Sequence, residues 1–179
     1  MLNKIGIYTA LTSLIIGTLL LLFFYFTNSN EIAGFGIYFI IVAGIINLII
    51  IALLLAEILT DKENRKKNLK TSIIMLLNIP VLVLYFYFVM FLLSIMRVTF
   101  INDTGKIITD LKIIGGEPKT IEKLEKGESQ TEWITIKSDN DLILEYEIDG
   151  ELKTEMIYSY MTSGEKFEHR IGNKNNQIN

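Results

Sequence analysis

Cysteine is absent from all 179 residues, which removes disulfides, thiolate nucleophiles and Cys-ligated zinc. Histidine occurs once, at His169, so no imidazole cluster can hold a metal, and a Ser-His-Asp arrangement would have to use this single ring. Ser163-Gly164 just before it lacks the strand-turn-helix setting of a nucleophile elbow. Positive charge is scarce in the second half. Residues 98–179 hold ten Lys or Arg against sixteen Asp or Glu, a net −6 that argues against nucleic acid, whose phosphates are bound by clustered cations. With no catalytic constellation, cofactor motif or metal-ligand spacing, the sequence predicts a protein that is not an enzyme.

Long apolar runs, in contrast, dominate residues 1–97. Ile5 to Phe26 carries no formal charge and spans about 33 Å as a helix, enough to cross a bilayer. The run exceeds a signal-peptide core and no A-x-A-like site follows, so a retained anchor is expected. Ile32 to Leu59 forms a second span and Ser72 to Met96 a third. Pro80 in the third cannot donate to the carbonyl of Leu76, which predicts a kink. Tyr85 to Phe88 sits nearer the middle of that span than its end and is expected to pack rather than to form an interfacial belt.

Between the second and third runs lies Thr60 to Thr71, with Lys62, Arg65, Lys66, Lys67 and Lys70 against Asp61 and Glu63. Basic loops are retained on the cytoplasmic side. The spacing therefore predicts a multi-pass protein of the cell (inner) membrane with its N-terminus cytoplasmic and residues 98–179 outside. Polar side chains in the spans are the places where transport would show. Asn47 and Asn78 are expected to hydrogen-bond between helices, and Glu57 to pair with Lys62 or reach the headgroups. Gly17, Gly44 and Ala52-x-x-x-Ala56 would allow close helix approach.

After Arg97 the apolar period shortens to two, with turn signals at short intervals. Strands are expected at 98–102, 107–114, 119–124, 129–137, 142–148, 152–161 and 166–171, a seven-stranded antiparallel β-sandwich over residues 98–172. Asn173 to Asn179, NKNNQIN, has too little apolar content to pack and is expected to be a loose tail. The carboxylates Glu145, Glu147 and Glu155 alternate with apolar residues as on a solvated sheet face. Ser138 to Asp141 reads as a polar turn, with weak calcium binding the alternative. His169 shares a period-two face with Phe167 and Ile171, which predicts a packed strand residue. Trp133 is out of phase with Ile134 and Ile136, so it should be partly exposed and is a candidate partner contact. At Asp149-Gly150 a two-residue turn would put the apolar row of one strand beside the charged row of the next. A three-residue Ile148-Asp149-Gly150 connection, with Tyr146 opposite Leu152, is expected instead.

Val98-x-Phe100-x-Asn102-x-Thr104-Gly105 together with Leu124-x-x-Gly127-Glu128-Ser129-x-Thr131 resembles the immunoglobulin-like β-sandwich modules of bacterial cell-envelope proteins. The resemblance covers only the C-terminal part and implies a module that binds or spaces. Two classes of function fit. One is a non-enzymatic interaction protein, anchored in the lipid bilayer and meeting a protein partner or further copies of itself, such as an envelope-complex subunit or a toxin-neutralising immunity protein. The other is an accessory subunit of an oligomeric transporter or channel that uses Asn47, Asn78 and Glu57. The lack of an intramembrane ion pair favours the first.

Overall fold

The computed structural model describes residues 1–136, 141–160 and 162–172. Two compact units divide the chain, Met1–Val89 and Met90–Asn179. The tail at 173–179 and most of the 138–141 turn lie outside the described residues.

In the first unit, α1 (Leu2–Thr27) and α2 (Asn30–Thr60) are joined by Asn28 and Ser29. Asn28 takes a left-handed conformation (φ 54°) that ends α1, and the Ser29 side chain caps α2 by accepting from the Ile32 N–H. The third helical segment starts earlier than expected. Its first part, α3 (Arg65–Leu76), takes in Arg65, Lys66, Lys67 and Lys70, so most of the basic stretch is helical rather than a loop. After Leu77 it continues as α4 (Asn78–Ser94). The break falls at Leu77, three residues before Pro80, whose missing N–H leaves the Leu76 carbonyl without its helical donor. Leu2–Thr27, Asn30–Thr60 and Arg65–Ser94 are long and apolar enough to cross a membrane.

Close approach of the helices is set by a glycine that the sequence did not single out. A Cβ on Gly6 would lie 2.7 Å from Thr71 Cγ2 and 3.1 Å from Met75 Sδ. Here α1 meets α2 and α3 around Ala10, Ile50, Leu54 and Met75. Gly44 faces open space and Ala52 and Ala56 are exposed, so the close approach expected of them is not made. Of the aromatic cluster, Tyr85 binds Thr18 through its hydroxyl (2.6 Å) and Phe88 stacks with Tyr25, whereas Phe86 and Tyr87 are exposed.

The second unit contains β1 (Ile95–Asn102), β2 (Ile108–Ile114), β3 (Lys119–Leu124), β4 (Ser129–Thr135), β5 (Leu142–Ile148), β6 (Glu151–Tyr158) and β7 (Lys166–Ile171). They form a three-stranded sheet, β4-β1-β7, and a four-stranded sheet, β3-β2-β5-β6. β1 begins at Ile95, immediately after α4, so Met96 and Arg97 are strand residues and the third span ends short of its expected limit. Pairing is antiparallel except between β1 and β7, which run parallel, correcting the all-antiparallel expectation. One apolar cluster draws on both sheets, with Met96, Val98, Phe100, Ile134 and Ile171 from the first and Leu111, Ile113, Leu142, Leu144 and Ile157 among those from the second.

Two backbone irregularities re-phase the strands. In β2 a bulge between Thr109 and Lys112, with Asp110 at φ 53°, puts Ile108 and Leu111 on the same inner face and leaves Ile107 exposed. At the β5–β6 hairpin the local turn preference wins. Asp149 and Gly150 both have positive φ (53° and 80°), the signature of a type I′ turn, and Ile148 pairs directly with Glu151. The expected three-residue connection is therefore wrong. Its premise was burial of the apolar residues of β6, but β6 is an edge strand with Leu152 and Met156 exposed. A shift between Leu142 and Ile143 then brings only Ile157 inside.

Candidate functional site

Among the helices, the two amides converge on one turn of α1. Asn47 Nδ2 donates to Ser13 Oγ (3.1 Å) and to the Ala43 carbonyl (2.8 Å), while Asn78 Nδ2 donates to the Ala10 carbonyl (3.0 Å). Donors from α2 and α4 thus grip α1 at neighbouring positions, as expected of interhelical hydrogen bonds in an apolar setting. Beside this clamp, Tyr8, Thr9, Thr12 and Ser13 of α1 face Phe39, Val42 and Ala43 of α2 across an open groove of about 380 Å³.

Glu57 is not brought to the amides. Its Oε2 accepts from Asn68 Nδ2 at 2.8 Å, and Asn68 is fully buried. The partner expected from the sequence was Lys62 or the headgroups; the chain supplies an amide from the first turns of α3 instead. Thr71 donates to Asn3 Oδ1 (3.1 Å) and Ser72 to the Asn68 carbonyl (3.0 Å), so the converging ends of α1, α2 and α3 share a band of side-chain hydrogen bonds that includes the Glu57 carboxylate.

In the second unit Trp133 projects from the outer face of β4, out of phase with buried Ile134. Its ring stacks on Phe91 (centroids 5.9 Å) and the Arg97 guanidinium lies 6.0 Å from its centroid. Trp133 is thus half-buried, and its neighbour Arg97 is only 3% exposed on the adjacent strand. Cation–π contacts need this proximity. Sequence reasoning missed Arg97 because the apolar run carries the expected helix through Met96.

The other missed group is Glu155, expected among the solvated carboxylates. The type I′ register turns it to the inner face, opposite Leu144. There Oε1 lies 3.1 Å from Nε2 of His169, which is 4% exposed, and Oε2 accepts from the Tyr146 hydroxyl at 3.4 Å. An ionised carboxylate only accepts, so the imidazole Nε2–H donates. Burial, reinforced by the Glu155 charge, pushes the Tyr146 hydroxyl up to about 12. These three side chains link β5, β6 and β7, with Tyr146 and His169 buried and Glu155 partly exposed, which suits a structural cross-tie rather than a base that meets substrate.

Asn102 joins the turn after β1 to the end of β3. Its Nδ2 donates to the carbonyls of Lys106 (2.8 Å), Leu124 (2.9 Å) and Glu125 (3.1 Å), and its Oδ1 accepts from the Thr104 N–H and hydroxyl. No group of three or more His, Asp or Glu side chains is placed to hold a metal ion among the described residues.

No family model and no curated protein matches the chain. Among solved structures it is similar to an NMR structure of a protein from Eubacterium rectale, with 13% identity and a TM-score of 0.36 over 45% of this chain and 81% of that one. Likeness at this level transfers neither fold nor activity.

Proposed function

We propose that this is a multi-pass membrane protein that presents a β-sandwich outside the cytoplasm to a protein partner. α1, α2 and the α3–α4 segment cross the bilayer, with the N-terminus and the basic residues Lys62 to Lys70 on the cytoplasmic side. The two sheets pack face to face as a sandwich. The strand order differs from the ABED and CFG sheets of immunoglobulin domains, because β1 lies between β4 and β7. The immunoglobulin-like resemblance is therefore carried only as far as a two-layer β module.

The observation that supports presentation most directly is the junction: α4 ends at Ser94 and β1 starts at Ile95, with no linker between them. A module continuous with a membrane helix is confined to the membrane surface, where a partner of the same envelope meets it at high effective concentration. A binding role is favoured over a catalytic one because the single imidazole is enclosed and tied to Glu155. It is favoured over transport because Asn47, Asn78 and Glu57 are each engaged with neighbouring helices.

The thiol-free chain allows a direct test. Cysteines are placed singly at Lys126 in the β3–β4 turn and at Lys66 in α3, and intact spheroplasts are treated with a membrane-impermeant maleimide. Labelling is expected at 126 and not at 66; the reverse overturns the orientation. A photo-crosslinking residue at Thr154 on the β6 edge is then expected to give one discrete adduct with another protein in native membranes. No adduct from Thr154 or other β-module positions, with adducts from the helices, refutes presentation by the β module.

A further inference from the structure

Each sheet of the second unit has an outer face, and at one end of each face an aromatic or apolar row runs across the strands. That end is the one next to α4. The Gly164 N–H donates to the Ile95 carbonyl, and a Cβ on Gly164 would lie 3.1 Å from the Leu93 carbonyl oxygen, so the turn before β7 sits against the end of the helix. Thr135, paired with Ile95, accepts from the Glu117 N–H, which brings the turn after β2 to the same level.

The outer row nearest this end on the three-stranded sheet is Trp133–Arg97–Lys166, read across β4, β1 and β7. On the four-stranded sheet it is Met156–Ile143–Ile114, read across β6, β5 and β2. Met156 is 60% exposed and Ile114 39%, and Tyr160, just beyond β6, is 77% exposed. One row further from the helix the outer faces become polar: Thr131–Thr99–Glu168 on one sheet and Thr154–Glu145–Lys112 on the other. Towards the other end Leu152 is exposed as well, but it shares its row with Glu147 and Thr109. A row that is apolar across three strands, with an aromatic ring and a lysine on the other sheet, thus marks the rim next to α4, as at the headgroup level of a bilayer.

Chain reach places that rim. Arg97 is three residues beyond Ser94 and therefore no more than about 10 Å from the helix end whatever the tilt of the strand. The interfacial layer beyond the hydrocarbon is roughly 5–8 Å thick. On the reading that α4 crosses the bilayer, we infer that the α4-proximal rim of the β module, with Met156, Ile143, Ile114 and Tyr160 on one side and Trp133, Arg97 and Lys166 on the other, is seated in the headgroup layer of the membrane. The lipid surface covers the exposed apolar row, Tyr160 and Trp133 take interfacial positions, the exposed Lys166 lies at phosphate depth, and Arg97 stays buried beside Trp133. A protein partner is then met by the polar outer faces and by the turns at the opposite end.

Depth-dependent quenching tests this on the full chain reconstituted in phosphatidylcholine/phosphatidylglycerol vesicles. In a Trp133→Phe background, single tryptophans are introduced as Met156→Trp, Tyr160→Trp, Lys126→Trp and Tyr38→Trp. With a headgroup-spin-labelled lipid, emission is expected to fall at 156 and 160 and to stay unchanged at 126, in the turn at the far end. No loss at 156 and 160 overturns the inference. That outcome with acrylamide access means the row faces water; without acrylamide access it means that protein covers it. Tyr38→Trp in α2, read with an acyl-chain spin label, separates the two levels. Quenching at 38 alone keeps the membrane reading and removes only the seating of the β module, whereas no quenching at 38 removes both.

Discussion

The substitution Asn102→Asp exchanges an amide for a carboxyl in a side chain that is 1% exposed, and it should remove much of the β module's stability. The amide nitrogen donates to three carbonyls, those of Lys106, Leu124 and Glu125, at 2.8 to 3.1 Å. A carboxylate has no proton to offer, so all three oxygens then face a negative charge. The bond to Leu124 is buried and the other two are partly so. Leaving a buried acceptor unsatisfied costs about 1–3 kcal/mol, and with one full and two partial losses the expected penalty is about 3–5 kcal/mol. Domain stabilities are roughly 5–15 kcal/mol, so this is a large share. The backbone contacts from Asn102 to Glu128 and from Gly127 to Asn102 share the same corner and should loosen with it. Trp133 is the single tryptophan and lies in β4, so urea unfolding of the full chain in detergent, followed by its emission, reports this module. The folded state favours the protonated form of the introduced carboxyl, so the gap to wild type should narrow as pH falls towards about 4, the ordinary carboxylate value. A midpoint shift worth less than about 1 kcal/mol, or a gap that widens on acidification, would refute the assigned role of the amide.

Two further outcomes follow from the interior tie between β5, β6 and β7. Glu155→Leu should destabilise the β module by about 2–4 kcal/mol, because it leaves the His169 imidazole and the Tyr146 hydroxyl without an acceptor, whereas adding His169→Leu should recover a substantial part; strictly additive losses in the same urea assay would show that the pair is not coupled. Tyr146 has its hydroxyl raised to about 12 by burial and by Glu155. A raised folded-state value gives stability that is complete below the unfolded value near 10 and is lost as pH rises towards 12, worth up to about 2–3 kcal/mol. Wild type should therefore lose stability relative to Tyr146→Phe across that window and not below it, and a difference that stays flat to pH 12 would contradict the burial assigned to the ring.

Composition and period alone determined the division of this chain. Runs without charge can only be long helices or buried core, and alternation with recurrent turn residues can only be strands, because backbone polar groups must be satisfied in both settings. The three apolar helices and seven strands were legible for that reason, as was the partly exposed, out-of-phase position of Trp133. Boundaries were less so. Ile95 and Met96 extend the apolar helical run by composition but belong to β1, where they pair with Thr135 and Ile134. Gly6 could not be distinguished from Gly17 or Gly44 until three helices met at it. The β5–β6 hairpin shows most clearly what tertiary structure decided. Two rules of comparable strength conflicted there, and the choice depended on whether β6 was central or at an edge. At the edge little burial is gained by the shifted register, so the Asp149-Gly150 turn kept its preferred form and Glu155 was turned inward to meet His169. That contact joins residues fourteen positions apart on different sheets. A one-dimensional pattern has no term for it, because sequence period fixes the face on which a side chain lies but not what the opposite sheet places against it.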